Sequence, residues 1–353
     1  MRECGLLNLS KMPVFQNKMY PDRLSALNCA VGEITLVQDH LTGLIHNAAF
    51  DPTLLVYDEY YQNEQANSCF FQAHINDVIN KIEKYFTDSK VIEIGCGKGH
   101  FLELLKAKGF DVLGIDPAYE GSADYIVKSE FSSNMGVSGG CFVLRHVLEH
   151  ISSPFDFLYS IKQASGGIGR IYIEVPCFDW ILEHRAWFDI FYEHVNYFRL
   201  SDLTQYFGHV IDSGKMFGGQ YIYIIGDLAT LNLNNQQMKI NRVTIPNVFF
   251  SGLDILKTQT NLTGKRVIWG AGAKGATFGH YARLSGYLLD FVVDINPAKQ
   301  DKFMAGSGLE VLSPDAALEI LNDGDQVFVM NSNYLDEITL LGGEKLTYIC
   351  IDK

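Results

Sequence analysis

Basic residues are scarce in this chain. Its 28 lysines and arginines stand against 41 aspartates and glutamates, which leaves a net charge of −13. A protein that binds nucleic acid neutralises phosphates with lysine and arginine, so this balance argues against a nucleic-acid partner. The charge is that of an ordinary soluble enzyme surface.

Long apolar runs are also missing. No stretch approaches the length of about 18 consecutive apolar residues that indicates a membrane-spanning helix. The first residues, MRECGLLNLSKMPVF, lack the apolar centre of a secretory signal peptide. We therefore expect a cytoplasmic protein without membrane contact.

Cysteine pairs of the C-x-x-C type do not occur. The seven cysteines are an odd number, and their spacing does not fit a secreted disulfide framework. The chain does not need such cross-links, because 353 residues with 47% hydrophobic composition can bury a large core. This length predicts two domains or slightly more.

What the chain does contain is an alternation of strand and helix patterns. Residues 70–86 have a helical apolar face, 90–117 read as a βαβ unit, and 140–150 and 169–176 read as strands. Two closing strands follow at 209–226. A second βαβ pattern at 265–297 comes after a polar stretch and precedes strands at 325–334 and 346–351. The pattern predicts an α/β fold with mostly parallel sheets, whereas residues 1–60 read as irregular apart from a short strand at 33–38.

The segment EIGCGKG carries three glycines between a strand and a helix, where glycine permits positive φ and close approach of a ligand. Asp116 ends the next strand, and a carboxylate there can accept both hydroxyls of a ribose. The G-x-G-x-G spacing, with Glu93 before it, resembles motif I of the class I S-adenosylmethionine (SAM) methyltransferases. A tight turn without a ligand is the alternative.

That resemblance implies a cofactor site. The glycine loop would hold the amino-acid part of SAM, Asp116 its ribose, and Asp124 or Ser129 with Glu130 its adenine. The segment after the fourth strand would face both SAM and the acceptor, with His150 on the acceptor side. The cofactor residues implied in this way are Glu93, Gly95, Gly97, Gly99, Asp116, Pro117, Asp124, Arg145 and His146.

A second glycine loop, WGAGAKGATF, contains Gly270, Gly272 and Gly275, and Asp294 ends the following strand. This full G-x-G-x-x-G pattern is typical of a dinucleotide site. No hydride-transfer residues accompany it, so we favour a remnant of the fold or a substrate-contacting domain. A bound nucleotide, such as that of a sugar nucleotide, and an NAD-dependent enzyme remain alternatives.

Five segments together resemble a narrower family, the three-part sugar C-methyltransferases that act on TDP-keto-deoxysugars. They are NLSKMPVFQN, YDEYYQNEQANS, EVPCFDW, YEHVNYF and WGAGAKGATF. The resemblance implies an N-terminal part at 1–65, a class I (Rossmann-like) SAM methyltransferase domain at 66–230 and a Rossmann-like α/β domain at 231–353. It also implies a nucleotide-sugar acceptor. We expect a monomer or homodimer.

The family's N-terminal part binds zinc through two C-x-x-C pairs, and this chain departs from that pattern. Only Cys4 and Cys29 remain, with Met1 and Gly32 in the partner positions. Structural zinc takes four ligands, and His40 or His46 could at most supplement the two cysteines. We therefore predict no zinc and no other metal.

The stretch DIFYEHVNYF at 189–198 places a carboxylate and an imidazole within an aromatic run. Methylation of a carbon beside a ketone requires a base for the C–H proton and hydrogen-bond donors for the enolate oxygen. His194 is the first choice as the base, with Glu193 as its orienting group or substitute. The further candidates are His150, Tyr192, Tyr60 and Tyr61. An O- or N-methyltransferase and a non-catalytic SAM or nucleotide-sugar binding protein are the competing hypotheses.

Overall fold

The computed structural model describes residues 3–55, 68–86, 90–137, 140–232, 238–257 and 264–353. These residues form three β-sheets, of four, seven and seven strands, with helices between them. No helix in the described part of the chain is both long enough and apolar enough to span a membrane.

The N-terminal sheet is built on a long antiparallel pair, β1 (Glu3–Pro13) and β3 (Val31–Asp39). The prediction of a strand at 33–38 is confirmed, but the expectation that the rest of this region is irregular is wrong. Two register shifts bend β1, so its side chains do not alternate in the simple way that marks a strand in a sequence. β4 (Ile45–Asn47) and the distant β10 (Asn196–Tyr197) complete the sheet.

The central sheet has the order β11-β12-β9-β8-β5-β6-β7. β5, β6, β7, β8 and β9 are parallel, and β12 is antiparallel to both of its neighbours. Its strands are β5 (Val91–Ile94), β6 (Val112–Ile115), β7 (Ile126–Val127), β8 (Cys141–Arg145), β9 (Arg170–Pro176), β11 (Val210–Met216) and β12 (Tyr221–Asp227). The chain leaves β5 for β6 on one side and reaches β8 on the other, which creates a crevice at the carboxyl ends of these strands.

Helices cover this sheet, and the predicted helix at 70–86 is present as α2 (Cys69–Tyr85). Its apolar face is buried while the polar face meets solvent. The other helices up to residue 232 are α1 (Arg23–Leu27), α3 (His100–Ala107), α4 (Pro154–Ala164), α5 (Phe178–Glu183) and α6 (Leu200–Leu203).

The third sheet has the order β18-β17-β13-β14-β16-β15-β2. Its C-terminal strands are β13 (Arg266–Trp269), β14 (Val292–Val293), β15 (Lys302–Met304), β16 (Glu310–Leu312), β17 (Gln326–Val329) and β18 (Thr347–Cys350). The helices of this part are α7 (Asp254–Lys257), α8 (Ala273–Leu284), α9 (Pro314–Ile320) and α10 (Leu335–Gly342). The predicted second βαβ unit and the two later strands are therefore present.

The outermost strand of the third sheet, β2 (Met19–Tyr20), comes from the start of the chain and pairs with β15. One hydrophobic cluster contains Leu9 from β1, Phe142 from β8 and Phe278 from α8. The N-terminal segment thus contributes to two sheets and to a core that it shares with the rest of the chain.

Candidate active site

The first glycine loop joins β5 to α3 and has three residues with positive φ. The φ angles of Gly95, Gly97 and Gly99 are 75°, 54° and 85°. A Cβ atom on Gly95 would lie 2.4 Å from Cγ2 of Val147, so this position has no room for a side chain. The loop therefore packs against the segment that follows β8 and leaves Gly97 exposed.

Asp116 directly follows β6 and lies beside this loop. Its carboxylate accepts hydrogen bonds from the backbone N–H of Gly97 at 2.7 Å and of Ala118 at 2.8 Å. A carboxylate has about four acceptor positions, so capacity remains for the two hydroxyls of a ribose. The neighbouring Pro117 is exposed at the rim.

The candidates for the adenine contact lie at opposite ends of β7. Asp124 precedes this strand and is exposed, whereas Ser129 and Glu130 follow it at the carboxyl edge, where ligands of parallel sheets bind. The buried Ser129 Oγ has no hydrogen-bond partner among the described residues. The geometry therefore favours Ser129 with Glu130 over Asp124, and the set of loop glycines, Asp116 and Ser129 fits a nucleoside-containing cofactor such as SAM.

A buried carboxylate that the sequence analysis did not single out, Glu174, lies at the carboxyl end of β9. One oxygen accepts the Tyr172 hydroxyl at 2.7 Å. The other lies 3.1 Å from His74 Nε2, 3.3 Å from His146 Nε2 and 3.7 Å from Arg145 Nε. Burial alone would raise the pKa of Glu174, but the hydrogen bonds from the two histidines and the Arg145 charge hold it well below its usual range.

The two predicted cofactor residues after β8, Arg145 and His146, are both held by this carboxylate. Burial alone would lower the pKa of His146, but its contacts with Glu149 and Glu174 raise it to about 9. Arg145 lies between Glu174 and Glu93, with a 3.9 Å distance to a Glu93 oxygen. Burial raises the pKa of Glu93 to about 7, although the Arg145 charge acts in the opposite direction. The floor of the crevice is thus a network of buried charges.

The Glu193–His194 pair lies in a turn rather than on a strand. Glu193 is 1% exposed, and its carboxylate accepts the backbone N–H of Gln16 at 3.1 Å. His150 Nδ1 donates to the Glu193 carbonyl oxygen at 2.8 Å, and the His150 and His194 ring centroids are 4.9 Å apart. Burial, with the charges of His150 and His146, places the pKa of His194 well below its usual range.

This turn is fixed to the segment after β8 that also contacts the first glycine loop. The Asn196 side-chain amide donates to the carbonyl oxygens of Ile151 at 2.6 Å and Leu148 at 3.4 Å. Val147, at the start of this segment, packs against Gly95 of the loop. His150 is three positions further along the same segment, and its ring lies against that of His194. The predicted base thus lies in a turn bonded to the segment that packs on the predicted cofactor loop.

Tyr192 does not face this site. It is fully buried, its hydroxyl accepts the Asp51 N–H at 2.8 Å, and it donates its single proton to the Asp51 carbonyl oxygen at 3.3 Å. The hydroxyl therefore ties the turn to the N-terminal part, and a catalytic role for it stays a prediction. The other two predicted tyrosines, Tyr60 and Tyr61, lie outside the described residues.

The same tyrosine explains the missing side chain at Gly32. A Cβ atom there would lie 2.2 Å from Cε2 of the Tyr192 ring. Cys4 is exposed on β1, and Cys29 is half-buried near Gly306 and Arg283. The ring thus occupies the space that a cysteine side chain at position 32 would need, and the absence of zinc from the N-terminal part stays a prediction.

The second glycine loop, between β13 and α8, repeats the arrangement of the first. Asp294 accepts the N–H of Ala271 at 2.6 Å. Here, however, Lys299 Nζ donates to the Ala271 carbonyl at 3.1 Å, and it is 5% exposed. Lys274 Nζ donates to the Gln220 side chain at 2.8 Å and lies 3.0 Å from Asp189 Oδ2. The cations of this loop are bonded to the protein itself.

The network around Glu174 could be found only in part from the sequence. Glu174 lies near the carboxyl end of an apolar strand that ends in proline, and a carboxylate at that place in a parallel sheet indicates a residue of the ligand site. His74 gave none, because a single histidine in an amphipathic helix is ordinarily a surface or core residue. Its contact with Glu174 spans 100 positions of sequence.

Comparison with known proteins agrees with this geometry. Residues 64–210 match a family model described as a methyltransferase domain, and residues 248–344 match one described as a C-methyltransferase C-terminal domain. The C-methyltransferase NovU of Streptomyces niveus is 24% identical over 288 residues, which cover 70% of this chain and 67% of that protein.

Two further similarities are partial. The mitochondrial ubiquinone biosynthesis O-methyltransferase of Schizosaccharomyces pombe is 28% identical over 102 residues, which cover 24% of this chain and 37% of that enzyme. The crystal structure of the PH0226 protein from Pyrococcus horikoshii OT3 has a TM-score of 0.39 and 15% identity, and the match covers 49% of this chain and 99% of that one.

The central part of the chain matches methyltransferases in general, and the C-terminal part matches a domain described for C-methyltransferases. Both occur here in one chain, around a site whose residues fit SAM. The chain is therefore a SAM-dependent methyltransferase that carries a domain of the C-methyltransferase C-terminal type.

Proposed function

We propose that this enzyme transfers the methyl group of SAM to a carbon next to a ketone, on a nucleotide-linked keto-deoxysugar. The observation that carries the proposal is the position of His194 beside His150 and Glu193, in a turn fixed to the segment that packs on the first glycine loop. A carbon acceptor needs such a base, because its C–H proton must leave before the carbon can act as a nucleophile.

His194 is better suited to take that proton than Glu193. The low pKa of His194 keeps its ring neutral at neutral pH, with a nitrogen lone pair that can accept a proton. The Glu193 carboxylate instead holds the Gln16 backbone, and its carbonyl fixes His150. Glu193 is thus mainly the group that orders the turn.

A ring nitrogen of His194 takes the proton from the carbon, and the C–H electron pair becomes that of the enolate. When bound, SAM would supply an electrophilic methyl group. The acceptor carbon would form the new bond to that methyl as the methyl–sulfur bond breaks, and the bonding electron pair would stay on sulfur, so that S-adenosylhomocysteine leaves. His194 then carries the extra proton, which it returns to solvent before the next turnover. His150 and the two predicted tyrosines Tyr60 and Tyr61 are the candidates to contact the acceptor's oxygen atoms.

The position of the second glycine loop supports a nucleotide-linked acceptor. Gln16 is bonded to Glu193, while the side-chain oxygen of the adjacent Asn17 lies 4.0 Å from the place where a Cβ on Gly272 would stand. Two adjacent residues of the N-terminal segment thus contact the two places: Gln16 contacts the acceptor end of the site, and Asn17 lies near the start of α8. A helix start with a glycine loop suits a diphosphate, so one extended ligand can occupy both places.

The experiment that tests the proposal uses His194→Asn, with His209→Asn as the matched control on an exposed surface histidine. Loss of a positioned base typically lowers turnover by about 10²–10⁴-fold. We expect that loss for His194→Asn, with unchanged SAM affinity by calorimetry. We also expect that exchange of the acceptor's α-proton in deuterated water disappears. Near-normal turnover or exchange in this variant would exclude His194 as the base.

An O-methyltransferase is the second candidate, because the partial similarity to the ubiquinone enzyme concerns a protein of that name. An oxygen acceptor needs no carbon acid and would show no α-proton exchange. The position of the new methyl group in the product separates the two candidates.

A further inference from the structure

Three side chains beside the predicted base form a compact ligand set. Glu149, His150 and His194 each offer one donor atom, and these three atoms lie within 4.8 Å of one another. Two imidazoles and one carboxylate are a ligand combination typical of divalent transition-metal centres that keep open positions.

The carboxylate of this set is buried and incompletely used. Glu149 is 1% exposed, and its Oε2 has no hydrogen-bond partner among the described residues. Its other oxygen lies 3.3 Å from His146 Nδ1. A buried carboxylate oxygen without a donor is costly, and a cation is the partner that would satisfy it.

The surroundings also resemble the outer shell of a metal site. His150 donates its Nδ1 hydrogen to the Glu193 carbonyl, which directs the lone pair of Nε2 away from the backbone. Metal-bound histidines commonly donate their second nitrogen to a carbonyl in this way, and metal-bound carboxylates are commonly hydrogen-bonded, as Glu149 is by His146.

We propose that Glu149, His150 and His194 bind one divalent transition-metal ion, of the class of Zn²⁺, Co²⁺ or Fe²⁺, when no acceptor is present. We also infer that this metal inhibits methyl transfer, a consequence that rests on the proposed function. The metal takes the ring nitrogen of His194 that would otherwise remove the α-proton, so metal binding and methyl transfer exclude each other.

Cobalt is the probe for the site itself, because Co²⁺ bound by nitrogen and oxygen ligands absorbs visible light. Zn²⁺ does not absorb there, so the bands disappear when Zn²⁺ replaces Co²⁺. We titrate the full-length protein with Co²⁺ in the absence of acceptor. We expect saturation at one equivalent without the near-ultraviolet sulfur-to-cobalt band that binding to Cys4 or Cys69 would give.

Variants assign the ligands. Glu149→Gln and His194→Asn should each weaken Co²⁺ binding by at least about ten-fold, and His146→Asn, which removes a partner of Glu149, by about 10–100-fold. The exposed control His209→Asn should leave it unchanged. Preserved SAM binding in Glu149→Gln and His194→Asn shows that these variants are folded, and an unchanged circular dichroism spectrum shows it for His146→Asn. His194→Asn is the second ligand variant in case Glu149→Gln fails to fold.

The outcomes separate this inference from the methyl-transfer proposal. No saturable cobalt spectrum, or one that persists in both ligand variants, overturns the metal site and leaves methyl transfer untouched. With the site upheld, added Zn²⁺ should abolish α-proton exchange and a chelator should restore it. Exchange that continues at saturating Zn²⁺ would overturn the inhibitory role.

Discussion

The two glycine loops of this chain share one local design. Each follows a parallel strand and precedes a helix. Each also offers a backbone N–H to a carboxylate that ends the next strand, Gly97 to Asp116 at 2.7 Å and Ala271 to Asp294 at 2.6 Å. Read as patterns, the second is the more complete dinucleotide motif.

The surroundings of the loops differ. The first loop is open at Gly97 and has a floor of buried charges centred on Glu174. At the second loop, Lys299 bonds to the loop carbonyl and Lys274 bonds to side chains of the central part. A glycine pattern therefore predicts the turn in both loops, while the neighbouring charges distinguish the open first loop from the second loop, whose two lysines are bonded to protein groups.

The largest effect should come from the floor of the first loop. Glu174→Gln leaves His74, His146 and Arg145 without their shared counter-charge, and loss of one partner of a buried ion pair typically costs about 3–5 kcal/mol. We expect the free energy of unfolding in urea to fall by that amount. Glu183→Gln is the control, because that carboxylate is 60% exposed. Equal stability of the two variants would show that the buried charges do not support the loop.

The paired aspartates test the comparison directly. Asp116→Ala removes hydrogen bonds from a charged acceptor, worth about 1.5–3 kcal/mol, so we expect SAM affinity to fall by about 10–150-fold. Asp294→Ala should change SAM affinity by less than about two-fold, although it lowers the melting temperature. Calorimetric titration of SAM measures both. A loss of SAM binding in Asp294→Ala would mean that the second loop is part of the cofactor site.

Alanine substitutions at Gly95 of the first loop and Gly272 of the second should have smaller and unequal effects on SAM affinity. Gly95→Ala places a side chain at positive φ, which costs about 1–2 kcal/mol, and against Val147, so SAM affinity should fall by about ten-fold. Gly272 has an ordinary φ of −89°, and a Cβ there meets its nearest atom only at 4.0 Å. Gly272→Ala should therefore leave both SAM affinity and stability within about 0.5 kcal/mol of the wild type. Equal responses of the two variants to SAM titration would contradict the difference between the loops.

The parts of the fold that could be predicted are those with local signals. The glycine loops, Asp116, Asp294 and the central βαβ unit follow from spacing and periodicity. The pairing of Met19–Tyr20 with β15 could not be predicted, because contacts between segments more than 280 positions apart leave no mark in either segment.

The candidate site was predictable to a similar degree. His150 ends a short 3-10 helix and lies beside the turn that contains Glu193 and His194, and the catalytic roles of these three residues stay a prediction. The bonds of the Tyr192 hydroxyl to the Asp51 backbone could not be predicted, because the two residues are 141 positions apart. Glu174 and Glu149 escaped notice because burial of a carboxylate depends on partners from distant elements.

The most direct measurement is the position of the transferred methyl group. The protein is incubated with a nucleotide-linked keto-deoxysugar and SAM labelled with ¹³C in its methyl group, and the product is examined by NMR. Under the proposed function, we expect a labelled methyl bonded to the carbon beside the ketone, formed by the wild type and not by His194→Asn. A labelled methyl on oxygen or nitrogen, or carbon methylation by His194→Asn at the wild-type rate, would contradict it.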